Sequence, residues 1–374
     1  MIFSKEKFKN LVLISALSAV ALCGCGGGGG DSGTGGETSN PAPDSSGTLN
    51  PGLTGRIWFK DQPDSPIYTI SDARTGVETR AAALPSTSHT LKPSPDGKIF
   101  VSWFADPPAE QDDDEPFYSS HVNIYDATQP FDKNKPLFTT DFSGYITSLH
   151  FSPDGRYVGI LYGPQFVSRH SNAGFKVYDL INPKLPVLVR DFPTAVGEDP
   201  DTVVVNLGWI SNTKYLYLLN TNKLVAGDAQ VAGGNDKNIG ALEAPTGFNA
   251  SADMSVSPDG TQIAVAFSWF DGPLKKRDIW VTDIDGKNPQ RVSDDHLTGR
   301  PFWSPDSQYI AMESDTGYSC ISGPAGGACI GSCNTWYLPR TARNAKMDRS
   351  KYIRSQHPSY TTGFVCQGDM SWTK

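Results

Sequence analysis

The 374-residue sequence contains no Gly-x-Ser-x-Gly elbow, phosphate-binding loop, dinucleotide fingerprint or His-Glu-x-x-His pair. Local signatures for nucleophilic hydrolysis, nucleotide binding and helix-borne zinc are therefore missing. A catalytic set gathered from separate loops would leave no linear trace. The six histidines (His89, His121, His150, His170, His296 and His357) show no close-pair spacing, and His296, behind Asp294 and Asp295, is read as a surface loop residue. Positive charge is scarce, with 32 Lys and Arg against 40 Asp and Glu and a net charge of −8. That balance argues against nucleic-acid binding through a basic stripe. Cys-x-x-Cys-His is absent, which excludes covalent haem, and no paired Cys-x-x-Cys knuckles point to zinc.

Long apolar runs are also lacking. The longest, Leu11 to Leu22, is too short to span a bilayer as a mature helix, and it follows Lys5, Lys7 and Lys9. It reads as the h-region of an export signal. The run ends in Leu22-Cys23-Gly24-Cys25, which resembles the bacterial lipobox. The resemblance implies a signal peptide over 1–24 and lipidation of Cys25, because Gly24 suits the position before the cut. Gly26 follows Cys25, and by resemblance to lipoprotein sorting in diderm bacteria this favours the outer membrane. Residues 25–51 are Gly, Ser, Thr, Asp and Pro with almost nothing apolar, a composition that reads as a flexible tether. The expected folded domain is 52–374.

What that domain has in abundance is turns. Ser94-Pro95-Asp96-Gly97 returns as Ser152-Pro153-Asp154-Gly155, as Ser257-Pro258-Asp259-Gly260 and, altered, as Ser304-Pro305-Asp306-Ser307. A degenerate copy lies at Trp209-Ile210-Ser211-Asn212-Thr213. Pro presets φ, Asp bonds to nearby backbone, and Gly gives an exit with positive φ. Each copy feeds a β-rich run, and the copies are spaced by roughly 47–58 residues, close to the period of a four-stranded propeller blade. A second marker, a short alternating strand, occurs at Ile67–Asp72, His121–Asp126, Gly174–Asp179, Asn238–Glu243, Asp278–Asp283 and Asn334–Pro339. Six such third strands stand against five turns. The first unit begins at Gly55-Arg56-Ile57-Trp58 as a second strand, and Ser371-Trp372 at the far end matches the residues before the turns. The expectation is an all-β, six-bladed propeller whose C-terminal strand closes the ring in the first blade. The motif, an aromatic followed by Ser-Pro-Asp-Gly and a branched strand, resembles the TolB-like propeller repeat. That resemblance covers about 52–374 and speaks to fold rather than function.

Four sets of residues are candidates for chemistry or binding. Cys320, Cys329, Cys333 and Cys366 are disulfide candidates in an exported chain; of the three possible connectivities none is chosen. Asp112, Asp113 and Asp114, in the run Glu110–Glu115, read as a solvated loop, with calcium as the alternative. Trp209, Trp303 and Trp372 recur at one position and read as wedges between blades. Trp103, Phe104, Trp269 and Phe270 sit at strand ends beside variable loops, where a binding face would lie. The functional expectation is a lipid-anchored envelope module that binds a protein or polymer through its loop face or channel. The alternative is a hydrolase or lyase acting on glycan or peptide fragments at the channel mouth.

Overall fold

A computed structural model describes residues 47–60, 67–83, 90–105, 119–129, 132, 134–143, 145–163, 172–195, 203–272, 274–323, 326–356 and 370–374. All of these belong to one compact unit, Pro43–Lys374. They form six antiparallel sheets. Blade 1 is ordered β23 (Ser371–Thr373), β1 (Arg56–Lys60), β2 (Ile67–Asp72), β3 (Glu78–Ala83). Blade 2 holds β4 (Thr90–Pro93), β5 (Ile99–Ala105), β6 (Ser119–Asp126) and β7 (Phe138–Ser143). Blade 3 holds β8 (Tyr145–Phe151), β9 (Tyr157–Gly163), β10 (Asn172–Asp179) and β11 (Val187–Ala195). Blade 4 holds β12 (Val204–Trp209), β13 (Lys214–Leu219), β14 (Lys223–Asp228) and β15 (Lys237–Ala241). Blade 5 holds β16 (Asn249–Val256), β17 (Gln262–Asp271), β18 (Leu274–Asp283) and β19 (Gln290–Arg291). Blade 6 has three strands among the described residues: β20 (Thr298–Trp303), β21 (Tyr309–Gly323) and β22 (Gly326–Pro339).

The ring closes as the sequence implied. Ile57 pairs with Trp372, and Trp58 with Ser371, so the last strand is the innermost strand of the first blade. One assignment differs. The expected third strand at Asn238–Glu243 is instead the fourth strand, β15, and the third is β14. A tight link allows this: Asn222 takes φ 64°, so β14 starts directly after β13.

The core is not one mass but six apolar clusters, one at each seam between neighbouring blades. Val101 and Ile124 meet Leu149 and Ile160 between blades 2 and 3, and Phe175 and Val177 meet Leu207 and Tyr215 between blades 3 and 4. The remaining seams follow the same pattern around to Leu53 and Ile57 against Ala311 and Tyr337. Each seam buries large side chains that would each contribute roughly 1.5–3 kcal/mol on leaving water. The ring therefore holds together only if every blade is present.

The repeated turn is a small machine. Ser152 Oγ accepts from the Tyr157 amide (2.9 Å) and donates to Asp154 Oδ1 (2.7 Å), while Gly155 N donates to Ser152 O (2.8 Å). The same set recurs at Ser94, Ser257 and Ser304. Ser307 holds φ 61° where the other copies have Gly, and its hydroxyl accepts from the Asp259 amide of the preceding blade (3.0 Å). In the degenerate copy Ser211 takes over, accepting from Lys214 N at 3.1 Å. The acid that ends most third strands has a parallel job: Asp72, Asp126, Asp179 and Asp228 each accept a backbone N–H from the turn that follows. Both markers used to count blades are thus Asx-type turn devices.

The packed region also reaches back into the stretch read as tether. Asn50, wholly buried, donates from Nδ2 to Ala73 O and Arg354 O, and its Oδ1 accepts from Arg354 N, all at 2.8 Å. Ser355 and Gln356 continue this seam onto Gly76 and Thr75. A segment after the third strand of blade 6 is thereby sewn to blade 1, a second closure beside β23.

Candidate functional site

Antiparallel order within each blade fixes two faces. The Ser-Pro-Asp-Gly turns leave one face, here the turn face. Connections between second and third strands, and between successive blades, leave the other, the loop face. The innermost strands surround a cavity of about 680 Å³. Pro95, Pro153, Pro258 and Pro305, from the repeated turns, line it at the turn face. Deeper in, its polar lining includes Lys92, Ser148, His150, Asp253, Arg300 and Glu313, drawn from four blades.

These charges are largely settled within their own blades. Arg277 reaches Asp253 at 3.4 Å, and Arg300 reaches Glu313 at 3.1 Å. Lys92 Nζ donates to Ser371 Oγ at 3.4 Å, so blade 2 also holds the closing strand. His150 is half-buried and shares a 2.9 Å hydrogen bond with Ser148. Loss of hydration, and then the nearby Lys92 charge, push its pKa down to about 3. At neutral pH it is an uncharged ring. Trp209 and Trp303 each donate an indole N–H to a carbonyl of the preceding blade's inner strand, His150 O (3.0 Å) and Ser255 O (2.9 Å). Trp372 departs from this pattern and donates to Thr54 O within its own blade region (2.7 Å).

Towards the loop face, at the seam of blades 5 and 6, lies a second cluster that the sequence reading passed over. Asp278 of β18 is fully buried. Its Oδ1 accepts from His296 N at 2.9 Å, and its Oδ2 faces His296 Nδ1 at 3.2 Å and the Arg291 guanidinium. Arg291 Nη2 also lies 2.8 Å from Asp294 Oδ1 and 3.1 Å from His296 Nδ1. Asp278, Asp294 and His296 have the composition of a metal site. The single nitrogen Arg291 Nη2 touches all three of their ligand atoms, so the guanidinium occupies the place a cation would take. The cluster is charge-satisfied by the chain itself. His296 adopts φ 72° and packs edge-on against Trp269 at 5.2 Å. It lies in the connection between blades, as expected, but is half-buried and held by its neighbours. Next to it, Ser314 Oγ donates to Asp295. Burial, and to a lesser degree the Asp278 charge, raise the Asp295 pKa, against the lowering effect of the Ser314 hydrogen bond.

The expected site residues fall in different places. Trp103 is 3% exposed and packs against Tyr145 in the seam of blades 2 and 3, so it is core. Phe104 lies half-buried on His121. Trp269 is wedged between Phe248 and His296. Phe270 alone of the four stands out, 67% exposed on the loop face. Cys25, Cys366 and Asp112, Asp113 and Asp114 lie outside the described residues. Cys320 is in β21, and Cys329 and Cys333 are in β22; Cys320 pairs in register with Cys329, and Cys333 with Asp315. On the turn face, the link from β10 to β11 exposes Ile181 and Leu185, and the start of β11 exposes Val187 and Leu188. The Asp278 cluster left no linear signal because its members come from β18, β19 and a connection between blades.

Fold and site together define a six-bladed propeller with a channel of mixed polar and apolar lining and a braced loop face. No family model matches the chain, and no curated protein matches it in sequence. Many solved structures are similar to it, three of them as follows. One is hydrazine synthase of Kuenenia stuttgartiensis, with 15% identity, 75% of this chain and 77% of that one covered, and a TM-score of 0.40. Another is the β-propeller domain of Myceliophteria thermophila Cps50 (Swd1), with 13% identity, 82% and 90% covered, and a TM-score of 0.43. The third is the tricorn protease, with 12% identity, 77% and 30% covered, and a TM-score of 0.36. These are likenesses of fold.

Proposed function

We propose that the chain is a lipid-anchored propeller of the bacterial cell envelope, related to TolB-like repeats, that binds a protein or envelope polymer without transforming it. One observation carries the reading: the chain's departures from its repeat gather on the loop face. The overlong β21–β22 ribbon, exposed Phe270 and the braced Asp278 cluster all belong there. Loops on a rigid scaffold are where propellers place recognition. The channel supports the same view, since Asp253 and Glu313 are each paired with an arginine and His150 stays neutral, which suits recognition better than proton transfer. Cys25 would supply the anchor, and the Gly-rich segment after it the leash.

A second reading rests on His296. A buried carboxylate that fixes a histidine ring is also how a general base is oriented. That reading makes the loop face the mouth of a hydrolase or lyase for glycan or peptide fragments. Cross-linking in intact envelopes followed by affinity capture separates the two. The binding reading expects a discrete cross-linked species that survives His296→Ala. Turnover of envelope-derived fragments that His296→Ala abolishes would replace it with the enzyme reading.

A further inference from the structure

Exposed apolar surface is shared unevenly between the two ends of the ring. Among the described residues, Val77, Ile181, Leu185, Val187, Leu188 and Val231 are large, apolar and exposed, and only Phe270 joins them from the loop face. All six lie in, or directly after, a link between the third and fourth strands of a blade. These links belong to the turn face, because each is hydrogen-bonded to the residue just before the second strand of its own blade. Ala73 N donates to Gly55 O (2.8 Å), Leu180 N to Arg156 O (2.7 Å) and Ala229 N to Thr213 O (2.8 Å).

The blade-3 link is the most apolar of them. From Leu180 to Leu188 it carries one cation, Lys184, and no acid, in a chain whose net charge is −8. A turn holds it out: Leu185 N donates to Asn182 O (2.9 Å), and Lys184 N to Asn182 Oδ1 (3.2 Å). Ile181 and Leu185 are 74% and 70% exposed. An apolar tip with an exposed lysine suits the boundary of a bilayer, where apolar groups sink among acyl chains and an ammonium meets phosphate. The N-terminal stretch joins the folded body at the same face, since Leu49 N and Asn50 N both donate to Arg74 O in the β2–β3 link.

We propose that the turn face lies against the phospholipid bilayer, with the Ile181–Leu188 tip dipping into its headgroup layer. This rests on the lipid-anchor reading above and deepens it. The stretch from Cys25 to Gly47 could span at most about 75 Å, so a leash alone would leave the propeller free to turn over. A weak second contact suffices to orient a tethered body, because the tether keeps the local lipid concentration high. The loop face then points away from the membrane, towards the partner.

The test places a benzophenone amino acid at position 185 in one full-length chain and at position 270 in another. Each chain, as isolated from cells, is put with vesicles of phosphatidylethanolamine and phosphatidylglycerol whose acyl chains carry an alkyne tag, and is irradiated. A parallel arm uses Cys25→Ala chains with a histidine tag inserted within 26–46, held on the same vesicles by nickel-chelating lipid. The expected result is lipid labelling at 185 in both arms, several-fold above that at 270. Ile181→Asp should cut the labelling at 185 several-fold without changing the melt. Labelling at 185 in the nickel arm alone keeps the membrane surface and removes the lipid anchor. Equal labelling at the two positions, stronger labelling at 270, or no effect of Ile181→Asp overturns the proposal. So does an adduct of two protein copies from 185 in place of lipid, which would make the tip a self-association surface.

Discussion

The Trp58 indole N–H donates to Thr373 Oγ1 at 3.1 Å, joining residues 315 positions apart. Both side chains are buried at the point where the first and last strands meet. The contact makes the ring a single cooperative object. Removing Asp369–Lys374 should abolish a cooperative thermal transition or lower it steeply, since β1 would lose its inner partner and Leu53 and Ile57 their cover. Asn50→Ala should be milder, about 2–4 kcal/mol, because one buried hydrogen bond to Ala73 and two part-buried ones to Arg354 go with it. Denaturant melts of the two variants give the comparison. A truncated chain melting like the intact one would mean the last strand is ornamental.

Gly97 and Gly260 offer a controlled pair. Their φ angles are 69° and 71°, so alanine meets the same backbone strain at either site. A Cβ on Gly97 would find its nearest atom at 3.7 Å, whereas on Gly260 it would lie 1.8 Å from Ile210 O of the neighbouring blade. Gly97→Ala should cost about 1–2 kcal/mol and Gly260→Ala clearly more, about 3 kcal/mol or above. Equal losses in urea unfolding would show that turn strain, and not blade-to-blade approach, decides the glycine.

Asp295 sets the sign of a pH effect. Its pKa is raised in the folded chain, chiefly by burial. The folded state thus binds that proton more readily than the unfolded state. The resulting cost is present at pH values above the folded pKa and fades as pH falls through it. Asp295→Asn should raise the melting temperature at pH 7, with the advantage shrinking as the buffer is made acidic. An advantage that instead grows towards acid pH would reverse the argument.

In the proposed reading, anchoring would depend on one atom, the Cys25 sulfur. Cys25→Ala should move the protein from the membrane pellet to the soluble fraction on cell fractionation, with its folded-state melt unchanged. Retention in the pellet would remove the lipid anchor from the account.

Much of this was legible in the sequence, for a physical reason. Ser-Pro-Asp-Gly is chemistry confined to a few neighbouring residues, so Ser94, Ser152, Ser257 and Ser304 announce the same turn wherever they stand. Trp372 revealed the closing strand because it precedes a missing turn as Trp303 precedes an existing one. The exchange of β14 for β15 in blade 4 was not legible, since Leu224-Val225-Ala226 is too brief to outweigh the run at Ile239. Asn50 was hidden in a polar tract whose composition says nothing of its buried hydrogen bonds. The Asp278 cluster was invisible for a different reason. Its geometry exists only after β18, Arg291 and His296 have been brought together by the ring.

The central claim is that the loop face, not the turn face, meets the partner. Photo-cross-linking residues placed at Phe270 on the loop face and Ile181 on the turn face, both well exposed, test it directly in living envelopes. The account predicts a discrete high-mass adduct from position 270 and none from 181. An adduct from 181 with none from 270 would contradict it and move recognition to the apolar β10–β11 link.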